Sequence, residues 1–343
     1  MMIKQTDRMF TQARWRVALL LSAMSMALTS CIDEDLSDCG SSNAIEYRLE
    51  LSTSLRMSLD EELTTPAEKQ LCAALKTALA DIITDRAKTM DLSFFNYSGG
   101  SVAKHIAVQP DANSLSLTVY MDRGDYHNIA LAATQDINQV SISGASAYKD
   151  ISLRQADGDT LNAHSTGIYR GYCRMAIDNE SGHFYVPLYM QNSIPVLVVN
   201  PATSPAKMIA AYTRCTASGM MCADSTFVFD HQAVMRTLRT EGGGLTAFHT
   251  VCFPSADTPV SRATDDNPTE AEGGIWEMDL YTQLPDGKYV KNTIYIKEPL
   301  RAGEMEIIKV KLTDDGRVVS DNPAVGVSVK LDWKPGGDFD VEV

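Results

Sequence analysis

The feature that most constrains this chain is a two-residue alternation of apolar and polar side chains that recurs along most of its length. Near the end, Val325, Val327, Val329, Leu331 and Trp333 alternate with small or polar residues. Lys334-Pro335-Gly336-Gly337 breaks the run, and Phe339, Val341 and Val343 resume it. In a strand successive side chains point to opposite faces, so this pattern specifies strands with one face buried and the other wet. The same mark appears at Ile45/Tyr47/Leu49/Leu51, Leu115/Leu117/Val119/Met121, Val186/Leu188/Met190, Ile194/Val196/Val198, Trp276/Met278/Leu280 and Ile294/Ile296, and again over Met305 to Leu312. Leu92 to Tyr97 is a short apolar run closed by Ser98-Gly99-Gly100, and Arg123-Gly124-Asp125 and Pro285-Asp286-Gly287 supply further turns. Short strands with turn signals at this spacing predict a mainly β chain built of sandwiches.

One helix interrupts the pattern. Thr65-Pro66-Ala67-Glu68 is a capping box with proline at the first helical position, and Leu71, Leu75, Leu79 and Ile82 recur at helical spacing. This predicts a helix over about 66–88 whose apolar stripe packs on a sheet face. Residues 254–274 are polar and rich in Pro and Asp, and read as a long exposed loop. Asp178-Asn179-Glu180-Ser181-Gly182 supplies a turn. The expected division is therefore an N-terminal sandwich over 44–180, which holds the helix, and a C-terminal sandwich over 181–343.

The first 30 residues have the anatomy of a secretion signal. Lys4, Arg8, Arg14 and Arg16 precede the apolar stretch Val17 to Leu28, which is too short to span a bilayer. Leu28-Thr29-Ser30-Cys31 resembles the bacterial lipobox, which implies cleavage before Cys31 and acylation of its thiol. Two or three acyl chains on Cys31 would hold the protein at the outer membrane, since one chain alone binds only reversibly. Residues 31–43 then form a lipidated tether. Asp33, Glu34, Asp35 and Asp38 make it acidic, and it resembles the export signal of Bacteroidota surface lipoproteins. The whole chain carries a formal charge of −14. Removing residues 1–30, with four basic residues and one acidic, takes this to −17. A chain so acidic is not expected to bind nucleic acid or to dock on a membrane through a basic patch.

Six cysteines remain beside Cys31, in a compartment that permits disulfides. If Ser218-Gly219 forms a two-residue hairpin loop, Cys215 falls opposite Cys222 and within bonding reach; the alternative is two buried free thiols.

Taken together, these features resemble the fimbrial anchor-lipoprotein family of the Bacteroidales. Cys31 followed by Asp35-Leu36-Ser37-Asp38-Cys39 is similar to that family's mature N-terminus. Gly124-Asp125-Tyr126 at the start of a strand resembles its first domain, and the closing strand with Trp333, Pro335 and Gly336 resembles its end. The resemblance spans about residues 31–343. It implies two tandem transthyretin-like β-sandwich domains that seat a fimbrial shaft on the outer membrane and limit its length. It also implies that fimbrial shaft subunits are the partners, joined by strand addition. The helix and the 254–274 loop are longer than a minimal sandwich needs.

No catalytic constellation is present. The chain lacks H-E-x-x-H, G-x-S-x-G, a P-loop and G-x-G-x-x-G, and its six histidines are scattered, so no catalytic, cofactor-binding or metal residues are assigned. Gly242-Gly243-Gly244 reads as a flexible loop, and Arg123-Gly124-Asp125 as a hairpin turn before it reads as an adhesion motif. Asp159-Thr160-Leu161 and Asp224-Ser225-Thr226 resemble an O-glycosylation pattern of exported Bacteroidota proteins. The competing function is a surface lipoprotein that captures glycan. It is weakened because the only mature tryptophans, Trp276 and Trp333, sit in alternating strand patterns that point them into a core.

Overall fold

A computed structural model describes residues 43–333, apart from 53–54, 85, 110–115, 137–139, 157, 159, 179–181, 231–233 and 259–273. In chain order its first part comprises β1 (Asn43–Ser52), α1 (Leu55–Glu62), α2 (Pro66–Ala78), β2 (Thr89–Asn96), β3 (Val102–Val108), β4 (Ser116–Met121), β5 (Gly124–Ala133), β6 (Val140–Ser143), β7 (Ser152–Gln155), β8 (Thr160–Leu161), β9 (Ile168–Ile177) and β10 (Gly182–Met190). The rest is strand: β11 (Ile194–Asn200), β12 (Lys207–Arg214), β13 (Gly219–Met221), β14 (Thr226–Val228), β15 (Val234–Arg236), β16 (Leu238–Gly242), β17 (Leu245–His249), β18 (Trp276–Gln283), β19 (Tyr289–Ile296), β20 (Met305–Leu312), β21 (Val318–Val319) and β22 (Val325–Trp333). The chain is mainly β, as its alternation predicts, and among the described residues no helix is long and apolar enough to cross a membrane.

The first sheet runs β3-β2-β5-β9-β10-β1-β4. Its β9–β10 join is short, pairing only Tyr169–Arg170 with Met190–Tyr189. There the sheet folds over, and β10-β1-β4 face β3-β2-β5-β9. Across the fold Tyr47 packs edge-on against Phe94, 6.3 Å between ring centroids, and its hydroxyl donates to Asn128 Oδ1. At the open side Lys104 of β3 donates to the Tyr120 carbonyl of β4. Ile45 and Leu49 meet Leu92, Ala130 and Leu188 in the core between. Burial of this much aliphatic and aromatic surface, at ~25 cal/mol per Å2, is the main force holding the two halves of the sheet together.

The capping box forms as the sequence predicts. Thr65 Oγ1 accepts from the Glu68 N–H at 3.3 Å, and Glu68 Oε2 accepts from the Thr65 N–H at 2.9 Å. The helix is shorter than the predicted 66–88, however, and a second one precedes it. α2 stops at Ala78, and Leu79, Ile82 and Ile83 stay buried through turns in which the Ile82 and Ile83 N–H groups donate to Leu79 O at 3.0 and 2.9 Å. A three-to-four-residue apolar spacing is satisfied by successive turns as well as by a continuous helix, so the stripe overran the helix.

The face covered by α2 also differs from a simple lid on the first sandwich. Its strongest packing is on the β16–β17 hairpin of the second part, joined by Gly243-Gly244 at φ +61° and +78°. A Cβ on Gly243 would lie 2.2 Å from the Ala67 carbonyl oxygen, and one on Gly242 would lie 2.7 Å from the Leu71 Cα. The triple glycine is therefore a close-packed turn under a helix, not a flexible loop.

The second sandwich sets the sheet β16-β17-β11-β20-β21 against β22-β19-β18-β12-β15-β8. Leu197, Val199, Phe248, Ile308 and Val310 meet Trp276, Met278, Leu280 and Ile294 between them. A four-stranded sheet, β14-β13-β7-β6, covers the outer side of β2, β5 and β9 through Phe95, Ile129, Leu131, Leu153 and Met220. Since β7 pairs with β13 and β8 with β15, the two parts interlock. Gly182–Met190 pairs in parallel with β1 and closes the first sheet. β9 and β10, on either side of 178–182, are antiparallel neighbours in one sheet.

Candidate strand-acceptor edge

β20 alternates Met305, Ile308, Val310 and Leu312, all buried, with half-buried or exposed Glu306, Ile307, Lys309 and Lys311. On one flank it pairs in parallel with β11 from Met305 to Lys311. On the other, β21 matches only Lys311 and Leu312. Among the described residues, Met305 to Val310 thus have no strand on that side, where the Lys309 carbonyl accepts from Ser320 Oγ at 3.2 Å. An unpaired edge of this length offers N–H and C=O groups to any extended segment that fits beside it. A groove of about 590 Å3 lies over the outer face of this sheet, with Glu62, Thr65 and Glu68 on the helical wall, Val198, Leu245, Ile307 and Lys309 on the floor, and Val319 at the β21 end.

The charges around the groove are strongly shifted. Burial pushes the Glu68 carboxyl up, but bonds from Lys309 and Thr65, with the Lys309 charge 2.8 Å away, outweigh it and hold its pKa at about 2. Glu306 is the reverse. Burial, with the like charges of Glu298, Glu62 and Glu304, raises its pKa to about 7.

The facing sheet also ends here. β22 pairs with β19 on one side and, among the described residues, is the terminal strand of its sheet. Its inward Val325, Val327 and Val329 are only half buried, whereas Val290, Ile294 and Ile296 on the neighbouring strand are 1% exposed or less. A second groove, about 570 Å3, lies between these valines and Val318–Val319. Among the described residues the second sandwich is therefore open along one side, between the β20 and β22 edges, with apolar surface in the gap. Trp333 is the last residue of β22. A register shift beside Tyr289 pairs it with that residue, and its side chain lies outside the described residues.

Other residues singled out in the sequence fall as follows. Cys31, its tether and residues 338–343 lie outside the described residues, as do Asp159 and positions 259–273 of the polar loop. The Cys215–Cys222 pairing is not formed. Ser218-Gly219 is not a hairpin loop; Gly219–Met221 pairs instead with β14 and β7, which sends Cys222 into the core under the four-stranded sheet and leaves Cys215 in the core of the second sandwich. Both thiols are buried, and burial pushes the Cys222 thiol up to about 12. Arg123, Gly124 and Asp125 are exposed at the start of β5, where Asp125 lies 3.7 Å from Arg174 and Tyr126 donates back to the Asp122 carbonyl. Trp276 is fully buried, with its indole N–H donating to the Glu298 carbonyl at 2.9 Å. The β20 edge was invisible in sequence, because alternation shows that a strand is half buried and says nothing about its neighbours.

No family profile and no curated sequence matches this chain. Solved structures do. A candidate adhesin from Bacteroides ovatus superposes with a TM-score of 0.50 at 11% identity, covering 86% of this chain and 98% of its own. The chain shares its fold with that candidate adhesin. Two further neighbours have lower scores. The fimbrial anchor protein Mfa2 of Porphyromonas gingivalis gives 0.46 at 11% identity, covering 85% and 99%. A candidate polysaccharide-binding protein of Bacteroides thetaiotaomicron gives 0.48 at 11%, covering 83% and 97%. The neighbours are Bacteroidales adhesin-type and fimbrial proteins, the kind of protein the sequence resembles. At these identities they speak to the fold alone.

Proposed function

We propose that this chain is a non-catalytic outer-membrane lipoprotein, anchored through acyl chains on Cys31 and exposed at the cell surface, that anchors or assembles fimbriae. The observation that carries the reading is the open side of the second sandwich. Among the described residues the β20 and β22 edges have no outer neighbour and flank an apolar gap, and such a gap is suited to an added strand from a neighbouring subunit. The sequence beyond β22 supplies a matching segment for the reverse exchange: Phe339, Val341 and Val343 alternate with Asp338, Asp340 and Glu342 behind a Pro-Gly-Gly hinge. We divide the mature chain after Met190, since β10 completes the first sheet.

Deletion of residues 338–343 tests the donor role. A folded, membrane-bound protein that releases fimbrial shafts into the medium is expected; one at normal abundance that still retains shafts on the cell removes this segment as donor. The anchor is tested separately. Radiolabelled palmitate should enter the wild type and not Cys31→Ala, and a variant that still labels and still sediments with membranes overturns the lipid attachment.

A further inference from the structure

Three tyrosines are more than half exposed among the described residues: Tyr120 at 59%, Tyr189 at 58% and Tyr185 at 55%. All three stand on one surface, the outer face of β10-β1-β4. The registers place them there: Arg48 lies opposite Tyr185, Ser52 opposite Tyr189 and Ala44 opposite Tyr120, while the alternate residues Ile45, Tyr47 and Leu49 fill the core. Between the rings stand Glu46, Arg48 and Glu50 of β1, Ser116 and Thr118 of β4, and His183 of β10. His183 Nδ1 lies 2.8 Å from a Glu46 oxygen, and the Tyr185 hydroxyl donates to Glu50. A groove of about 670 Å3 is lined by Glu46, Arg48, Ser116, Thr118, His183 and Tyr185, within the size range of small-molecule sites.

We infer that this face binds a neutral oligosaccharide chain. Three properties select that ligand. Exposed rings present negative π faces, which attract the weakly positive C–H face of a pyranose while leaving its hydroxyl rim free. The groups around the rings supply what that rim needs: carboxylates that only accept, a guanidinium that only donates, and hydroxyls that do both. Charge points the same way. In a chain of net charge −14, this face sets one arginine against two glutamates, with His183 beside Glu46, so it carries little net charge and presents no strong field to an uncharged ligand. The remaining positions on the face, Ala44, Ser52 and Pro187, are small and present no branched aliphatic side chain. A protein partner would meet no dry apolar centre there. Tyr185 and Tyr189 are four residues apart on one strand, about 13 Å, so the ligand is a chain of several sugars and not a single one. The inference does not depend on the fimbrial role.

Affinity electrophoresis of the full-length protein in detergent tests it, with gels containing yeast α-mannan, pullulan or xyloglucan and hyaluronan as the acidic comparator. The expected result is retardation by at least one neutral polysaccharide and none by hyaluronan. Affinity should fall at least tenfold in Tyr185→Ala and in Tyr189→Ala. Tyr185→Phe, which keeps the ring, should bind within threefold of wild type. Tyr97→Ala, at an exposed tyrosine elsewhere, should leave binding unchanged. Thermal melts of each variant should match wild type, as the side chains are on the surface. The inference is overturned by no retardation in any neutral gel, by retardation in hyaluronan alone, or by folded alanine variants that bind as wild type does.

Discussion

Glu68 holds α2 to its own cap and to the neighbouring sheet, and its removal gives a stability loss that can be worked from the geometry. One carboxylate oxygen accepts from the Thr65 N–H at 2.9 Å, and the other pairs with Lys309 at 2.8 Å. Losing the reciprocal cap costs about 1 kcal/mol. The ion pair contributes at most about 1 kcal/mol, because the Lys309 side chain is 41% exposed and water screens the pair. Glu68→Ala should therefore destabilise by about 2 kcal/mol, a fall in Tm of about 4–8 °C at ~2–4 °C per kcal/mol. Glu68→Gln keeps an acceptor for Thr65 and should lose about half as much. The pH dependence has a definite sign. The folded carboxyl titrates at about 2 and the unfolded one near 4.5, so its contribution is complete above the unfolded value and disappears as pH falls through this window. Wild type and Glu68→Ala should thus converge on acidification when melted by circular dichroism at neutral and acid pH. A Tm for Glu68→Ala within about one degree of wild type at neutral pH would refute the reasoning, as would a gap that persists at pH near 2.

Three further outcomes are expected. Trp276→Ala should cost about 3–5 kcal/mol by cavity formation, with loss of the bond to Glu298 O adding to it, and a denaturant midpoint close to wild type would place the indole outside the core. Glu306→Gln should stabilise the protein at pH 8 and have no effect at pH 4: the folded pKa of about 7 lies above the unfolded 4.5, so stability is lost as pH rises between them, and equal effects at both pH values would contradict this. Cys215 and Cys222 should both be alkylated by iodoacetamide after denaturation without reductant, and recovery of a 215–222 disulfide-linked peptide by mass spectrometry would overturn their assignment as thiols.

What could be read in the sequence follows from how local each signal is. Strand alternation at Ile45/Tyr47/Leu49 and the Thr65/Glu68 capping box depend on residues a few positions apart, and both form as expected. The order of strands depends on pairings across the whole chain, such as Ile45 with Gly182 or Leu153 with Met220, and no periodicity encodes those. Hence the interlocking of the two parts, the true partner of α2 and the open β20 edge could not be read. The choice left open at Cys215 and Cys222 could not be made for a related reason: Ser218-Gly219 has turn composition, but Gly219 starts a strand between β7 and β14, and composition cannot weigh a turn against a ladder. Tyr120, Tyr185 and Tyr189 likewise carry no sign of exposure in sequence, since it is fixed only once β10 and β4 flank β1.

The placement of β1 has a mechanical consequence. It is the first described strand, and it lies between β10, in register from Ile45 to Ser52, and β4, in register from Asn43 to Arg48. Tension applied to the chain ahead of Asn43 acts along the axis of β1, so the hydrogen bonds of both ladders are loaded together in shear and cannot be peeled open one at a time. Tyr47, locked to Asn128 and Phe94 across the core, resists the same sliding motion. A pull from that end therefore meets its resistance at the centre of the first sandwich, before any force reaches the open edge of the second.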